Sequence, residues 1–326
     1  MQRIWNDLIE HPWAVWALAL CVCAVALAPF DLSGLTGWLY APQGEDPPPR
    51  LLHWLGVLAL SLALVANVWA ISRLPFQAQV LIAWVELLAL FLLFFYSFNL
   101  SYDYIFSRLR FLLGIGLQNG FLMGAALTLF ICFAAIIAST ILALAAALGR
   151  LSSNGIAFGL STFYTSFFRG TPLLLQILLV YLGLPQIGIV LTPIPSAVIA
   201  LSLCYGAYSA EIFRAGILAV PKGQREAARA LGFRESLIMG LIVLPQALRL
   251  IIPPLGNQFI AMLKDSSLVS VLGAWELMYM ARTHGRAEFK YMEMLITAAL
   301  IYWAMSVTFE YVQARLERRF GKGVTP

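Results

Sequence analysis

The stretch REAARALGFRESLIMGLIVLP, Arg225 to Pro245, decides how this chain is read. Its first half holds Arg225, Glu226, Arg229, Arg234 and Glu235, and its second half is apolar up to a proline. Ala, Arg, Glu and Leu are strong helix formers, so EAARAL predicts a short helix. Gly232 would end it, because glycine takes the left-handed backbone found just past helix ends. FRESLIMGLIVL predicts a second helix that Pro245 stops, since proline cannot continue the hydrogen-bond ladder. The stretch is thus a charged helix–turn–helix set between apolar segments.

Those segments fix the fold class. The chain has 326 residues, 61% hydrophobic and 11% charged. Soluble domains run at about 45–50% apolar and about 25% charged. Several apolar runs exceed the ~18–20 residues that cross a bilayer as a helix. Alternating ten-residue segments are absent, which argues against a β-barrel. The expectation is an all-α, polytopic helical membrane protein with about eight transmembrane helices. The spans are Trp13–Phe30, Leu51–Ile71, Ala78–Phe98, Phe121–Leu148, Leu173–Val190, Pro195–Ala219, Ala247–Leu272 and Met294–Gln313. The first ends near Ala26-Leu27-Ala28, which resembles a signal-peptidase site. Asp7 and Glu10 spoil a basic leader, so a retained helix is expected.

The net charge of +5 follows topology rather than a nucleic-acid surface. With eight spans and the RLERRFGK end inside, both termini are cytoplasmic. Twelve Lys and Arg then lie inside: Arg3, Arg73, Arg150, Arg169, Lys222, Arg225, Arg229, Arg234, Arg315, Arg318, Arg319 and Lys322. Six lie outside: Arg50, Arg108, Arg110, Arg282, Arg286 and Lys290. This bias places the opening stretch in the cytoplasm. Cys21, Cys23, Cys132 and Cys204 sit singly in apolar runs, and His11, His53 and His284 are scattered. No metal site or disulfide framework is expected.

The chain divides in two. Residues 1–110 form an amino-terminal extension with about three spans and the outer loop APQGEDPPPR. It has few polar residues at membrane depth beyond Asn67 and Glu86. Residues 111–326 hold five spans richer in Gly, Pro and polar residues, with the cytoplasmic loop 221–245 between them.

The spacing in that loop is specific. Glu226-Ala227-Ala228, three residues, Gly232, nine residues, Ile242, one residue, then Leu244-Pro245 matches the EAA motif. The chain therefore resembles the permease subunits of binding-protein-dependent (type I) ABC importers. FFRGTPLLLQILLVYLGLP (Phe167–Pro185), YSAEIFRAGILAVPKGQ (Tyr208–Gln224) and PPLGNQFIAMLKDSSLVSVLG (Pro253–Gly273) resemble their amino-acid branch, the polar amino acid permeases. The resemblance covers roughly residues 117–320. The first three spans are similar to extensions of some general amino-acid permeases.

The resemblance implies a mechanism and a set of partners. The EAA helix docks in a cytoplasmic ABC ATPase dimer, whose ATP-driven closure switches the pore between its two facings. Glu226, Ala227, Ala228, Arg229, Gly232, Leu244 and Pro245 would carry that coupling. Ala227 and Ala228 permit close approach, and Glu226 and Arg229 can pair across the contact. The chain has no G-x-x-x-x-G-K-[ST] loop, so ATP and Mg belong on the partner, and this chain is a transporter subunit rather than an enzyme. A second permease subunit, the same or related, would complete the wall of the path. An extracytoplasmic solute-binding protein would dock outside, with Ala274–Tyr291 a candidate contact. The setting is the bacterial inner membrane.

Ionisable residues at membrane depth usually face a pore or a partner. Tyr208, Glu211 and Arg214 share one helix face, and Ser202, Tyr205 and Ser209 form another. Asn257 and Lys264 align, with Gln258 and Asp265 beside them. An amino acid in a dry cavity needs a cation or donor and an anion or acceptor. Lys264 and Asp265, with Asn257, Gln258, Ser266 and Ser267, could supply both. Lys264 and Asp265 could equally anchor the span against a neighbouring subunit, and Glu211–Arg214 could be a structural pair. Thr171 is expected to cap the next span, with Pro172 at its first helical position. Arg169 is expected at the lipid head groups. Two other readings stand beside the importer. One is an ion-coupled secondary amino acid transporter, which leaves the EAA spacing unexplained. The other is a membrane sensor or scaffold that binds the ATPase without transport.

Overall fold

A computed structural model describes residues 12–29, 50–96, 100–108 and 120–320. The proline-rich stretch 41–49, Asp7, Glu10, Arg3, Arg110, Lys322 and the expected 110/111 boundary lie outside the described residues. Every regular element among the described residues is helical. The chain forms two compact units, Met1–Asn99 and Leu100–Pro326.

In the first unit, α1 (Pro12–Leu27) packs on α2 (Arg50–Ser72), and α3 (Phe76–Tyr96) follows. Only a few residues, Val57 and Ser61 among them, are buried, and Leu, Val and Trp side chains are exposed all round. Helices apolar all round are suited to a membrane. The two polar residues at depth satisfy each other, since Asn67 Nδ2 donates to Glu86 Oε1 at 2.8 Å. An unpaired carboxylate in hydrocarbon would be far more costly.

The second unit begins with the short α4 (Tyr102–Ser107), then α5 (Phe121–Leu151) and α6 (Gly155–Gly170). α7 (Leu173–Leu178) runs on through a π turn, Leu179–Gly183, and a 3-10 turn, Leu184–Ile187. α8 (Pro193–Ala219) and α9 (Lys222–Ala230) come next. α10 is the continuous helical span Glu235–Leu272. α11 (Leu277–Ala287) and α12 (Tyr291–Phe320) complete the unit.

The eight expected spans resolve differently in detail. Among the described residues, six helices are long and apolar enough to cross a membrane: α2, α3, α5, α8, α10 and α12. A seventh span exists if α6 and α7 count together, although they bend by 108° at their junction. The first expected span is a shorter apolar helix, Val15–Leu27. The span expected at Leu173–Val190 is only the second limb of the bent pair. Its first limb, α6, was not anticipated from the sequence.

α8 is the axis of the unit. It packs chiefly on α5 and also on α10, α6 and α7. Small residues allow this. A Cβ at Gly206 would fall 2.5 Å from the Tyr164 hydroxyl, and one at Gly216 would fall 2.5 Å from Ile251. Backbones that approach closely gain dispersion contacts, the main attraction between helices in lipid. Three buried clusters stack along the unit. At one end Phe121, Leu277, Met280 and Met294 join α5, α11 and α12. In the middle Ile131, Ile177, Leu201, Met262 and Leu263 join α5, α7, α8 and α10. At the other end Ala143, Phe213, Ile217, Ala228, Ile238 and Ile251 join α5, α8, α9 and α10.

Pro245 does not stop its helix. The segment Glu235–Leu237 passes through a π-helical turn, Ile238–Val243, and continues as Leu244–Asp265. Proline forfeits one backbone N–H and crowds the carbonyl four residues back. A π turn shifts the bonding register just ahead of it, which lets the helix continue. Gln246 Nε2 also donates to the Ile242 carbonyl at 2.8 Å.

Candidate functional site

Two regions of the second unit carry the chemistry, one at the α9 end of α10 and one along its middle. At the first, α9 is held against its own chain by Ala228, which is buried with Phe213, Ile217, Ile238 and Val243. Arg225 Nη2 donates to the Ile217 carbonyl at 2.8 Å, tying the helix to the end of α8. The opposite side is open. Glu226, Ala227 and Ala230 are exposed, and Leu231 is 77% exposed. The two alanines of the motif therefore divide. Ala228 seats the helix and Ala227 leaves a low surface beside an apolar knob.

The end of α9 is a complete Schellman motif. Gly232 N–H donates to the Arg229 carbonyl at 2.9 Å, and Phe233 N–H to the Ala228 carbonyl at 3.1 Å. Gly232 has φ +81°, which glycine adopts without strain. Arg229 pairs with Glu235 across this turn. Leu244 is part-buried and Pro245 exposed inside the continuous α10.

The second region is a recess of about 340 Å³ between the α6–α7 corner, α8 and α10. Pro172 forces Thr171 into an extended backbone, φ −113° and ψ 146°, and this makes the corner. Thr171 is the C-cap of α6 and Pro172 the N-cap of α7, so each stands one step earlier than the sequence suggested. Buried Gln176 fixes the turn. Its Nε2 donates to the Phe168 carbonyl at 2.9 Å, the Thr171 carbonyl at 3.0 Å and Thr171 Oγ1 at 2.9 Å.

Of the residues singled out in the sequence, Tyr205, Tyr208, Gln258 and Asp265 line this recess, with Cys204 and Ala261 between them. The Tyr205 hydroxyl donates to Asp265 Oδ2 at 2.7 Å. Asp265 is exposed toward the recess mouth, so it is both oriented and reachable. The others turn elsewhere. Asn257 Oδ1 accepts from Gln313 Nε2 at 2.9 Å, on α12. Ser266 and Ser267 hydroxyls donate to the Leu263 and Lys264 carbonyls of their own helix at 2.7 and 2.8 Å. Lys264 is exposed but does not line the recess.

Glu211 lies below Tyr208 in a cluster of cations. It accepts from Arg150, from Arg169 Nη1 at 3.0 Å and from Arg214 Nε at 3.1 Å. The Arg169 guanidinium also sits 5.5 Å from the Tyr208 ring centre. One carboxylate thus joins the ends of α5 and α6 to α8. Arg169 is consequently committed to an intramolecular cluster, where the sequence placed it at head groups. Arg150 was not paired with Glu211 in the sequence, because 61 residues separate them.

At the far end of α10, Glu276 is fully buried. It caps α11 by accepting from Met278 N–H at 2.8 Å and Tyr279 N–H at 2.6 Å, and the Tyr302 hydroxyl donates to it at 2.9 Å. Burial pushes its carboxyl up to about 7, against the pull of those donors.

Comparison with known proteins agrees with this architecture. Residues 139–322, more than half of the chain, match the family "Binding-protein-dependent transport system inner membrane component". The arginine transport system permease protein ArtQ of Bacillus subtilis (strain 168) is 41% identical over 199 residues, 61% of this chain and 91% of the relative. The L-cystine transport system permease protein TcyB of the same organism is 42% identical over 185 residues, 56% of this chain and 79% of the relative. Among solved structures, an amino acid ABC transporter crystallised with histidines is 41% identical, with a TM-score of 0.57 over 61% of this chain and 93% of that one. The inward-facing MetNI methionine ABC transporter, 17% identical with a TM-score of 0.54, shares the fold.

This chain belongs to the binding-protein-dependent transport system inner membrane component family. It is a multi-pass membrane permease subunit of an ABC importer, and works with a separate ATPase and a substrate-binding protein.

Proposed function

We propose that the chain forms the translocation path of an ATP-driven amino acid importer, with the Asp265 recess as its substrate site. The observation that carries this is the recess itself. It offers a carboxylate, an amide and two tyrosines at the middle of the unit, lined by Gln258, Tyr205, Tyr208 and Asp265. A volume of about 340 Å³ suits a small molecule and is at the low end of ligand pockets. Asp265 receives the substrate ammonium, and Gln258 and the tyrosine hydroxyls orient the rest. Relatives named for arginine and L-cystine transport support an amino-acid substrate.

The α9 helix docks on the partner ATPase dimer, which holds ATP and Mg. Its exposed Glu226, Ala227 and Leu231 make the contact, and Gly232 sets its angle to α10. Movement of α9 passes to α8 and α10 through buried Ala228 and the apolar cluster around it. A second permease subunit, the same or related, closes the path. The binding protein docks at the Ala274–Tyr291 end. The protein sits in the bacterial inner membrane with both termini cytoplasmic, and the amino-terminal unit is an added three-helix extension.

The test is reconstitution of the chain with its ATPase and binding protein in liposomes. Uptake of a labelled amino acid that needs ATP supports the proposal. Uptake that follows an ion gradient without ATP, or ATPase binding without any flux, overturns it.

A further inference from the structure

The Asp265 recess has a carboxylate but no cationic residue among those that line it. Arg169, whose guanidinium stands over the Tyr208 ring, is held by Glu211. The carboxylate of an amino acid therefore lacks a charged partner there. Cations are present in a second recess, at the end of α10 remote from α9. It measures about 520 Å³ and is lined by Ser270, Val271, Tyr279, Arg282, Thr283 and Arg286.

This second recess is assembled from two elements. Arg282 and Arg286 stand one turn apart on α11 and point to the same side. Ser270 and Val271 come from the 3-10 end of α10. Arg282 Nη1 donates to Ser270 Oγ at 3.2 Å, which holds one guanidinium in place, while Arg286 is exposed. Trp275 packs edge-on against Tyr279, ring centres 5.3 Å apart, and steadies the wall.

Neither arginine pairs with a carboxylate among the described residues. Three acids at this end are engaged elsewhere. Glu276 is buried under α11, Glu288 accepts from Tyr104 and Arg108, and Glu293 faces Lys290 and the Ser101 N–H. Two uncompensated guanidiniums with hydroxyls beside them form a carboxylate receptor, since the planar fork of donors matches two oxygens.

The 3-10 end of α10 runs from one recess to the other. Side chains three apart eclipse in a 3-10 helix, so Asp265, Leu268 and Val271 stack on one face. At about 2.0 Å rise per residue, Asp265 and Val271 are roughly 12 Å apart. One small zwitterion cannot span that distance, so the recesses act in sequence.

We infer that the Arg282–Arg286 recess is a carboxylate-binding capture site, which takes the substrate by its carboxyl group before its ammonium reaches Asp265. This rests on the amino-acid reading above. The test uses the permease–ATPase complex in nanodiscs and an arginine-specific dicarbonyl reagent, with modification of Arg282 and Arg286 followed by mass spectrometry and Arg315 as reference. The probes are the amino acid found to be transported, its N-acetyl derivative and its carboxyl methyl ester. The acid and the N-acetyl derivative should protect both arginines, and the ester should not. In the complete transporter, Arg286→Gln and Arg282→Gln should each raise the half-saturating amino acid concentration about tenfold. Arg286→Gln breaks no hydrogen bond to the fold described above, so its result stands even if Arg282→Gln folds poorly.

Equal protection by the ester, or none by any probe, overturns the inference. So does a variant that weakens only the docking of loaded binding protein, which would make the arginines a protein contact. If no amino acid is transported by the wild type, the amino-acid reading itself fails, a result distinct from the others.

Discussion

Tyr205 on α8 and Asp265 on α10 stand sixty residues apart, and the Tyr205 hydroxyl donates to Asp265 Oδ2 at 2.7 Å. The contact fixes the carboxylate at the recess wall while leaving it exposed to an incoming cation. Tyr205 is itself buried and cannot swing away.

Substitution should separate these roles. Asp265→Asn removes the charge that receives the ammonium and should raise the half-saturating substrate concentration more than tenfold. Tyr205→Phe keeps the charge but frees its orientation, so a severalfold rise is expected, in line with about 1 kcal/mol for one hydrogen bond. Concentration dependence of uptake in liposomes measures both. An unchanged value for Asp265→Asn would remove Asp265 from the substrate site.

The coupling turn makes a second demand. Gly232 has φ +81°, and an L-residue there costs about 1–2 kcal/mol. Gly232→Ala should therefore weaken ATP-driven uptake. Gly232→Pro should abolish it, because proline fixes φ near −65° and deletes the N–H that bonds the Arg229 carbonyl. The core clusters do not include Gly232, so the chain should still reach the membrane in normal amount. Normal uptake by Gly232→Pro, measured beside an immunoblot of the membrane fraction, would contradict the coupling role.

Sequence periodicity and spacing exposed a good part of this. Long apolar runs announced α2, α3, α5, α8 and α12, because lipid demands about twenty apolar residues whatever packs on them. The helix end at Gly232 was legible because its backbone conformation belongs to glycine. α6 was not. Its apolar stripe Ile156, Leu160, Phe163 and Phe167 is interrupted by Ser, Thr and Tyr, which lowers hydropathy below that of a span. The Asn154 side chain that accepts from Ile156 and Ala157 N–H was the available signal. Pro245 misled in the other direction, because a π turn hides a proline that composition treats as a stop. Gln258 and Asp265 were found by helical phase, and so was Tyr205 on its polar face. The Tyr205–Asp265 and Arg150–Glu211 contacts were not, since pairing across helices depends on how the helices pack.

The Glu211 cluster supports a third prediction. Three guanidiniums converge on one carboxylate that is about one quarter exposed on its side chain. Glu211→Gln leaves their charges uncompensated at the junction of α5, α6 and α8. A loss of about 1–3 kcal/mol is expected, reduced from a fully buried case by solvent. Arg214→Gln removes one donor of three and should cost less. Thermal unfolding of the purified variants ranks them. The reverse order would show that Arg214, not Glu211, holds the junction.

Glu276 gives the pH dependence. Its folded carboxyl titrates near 7, against about 4.3 in an unfolded chain, because burial disfavours the charge. Between those values the folded state binds the extra proton. Stability from this group is therefore full below about pH 4, falls as pH rises toward 7, and levels off above it. The total is of the order of 3 kcal/mol, since each tenfold change in proton affinity is about 1.4 kcal/mol. Wild-type protein should melt at a lower temperature at pH 8 than at pH 6. Glu276→Gln stays neutral and can still accept from the Met278 and Tyr279 N–H groups, so it should melt with much less dependence on pH. Paired melting curves at the two pH values decide the matter. An equal pH effect in both proteins would place the titrating group elsewhere.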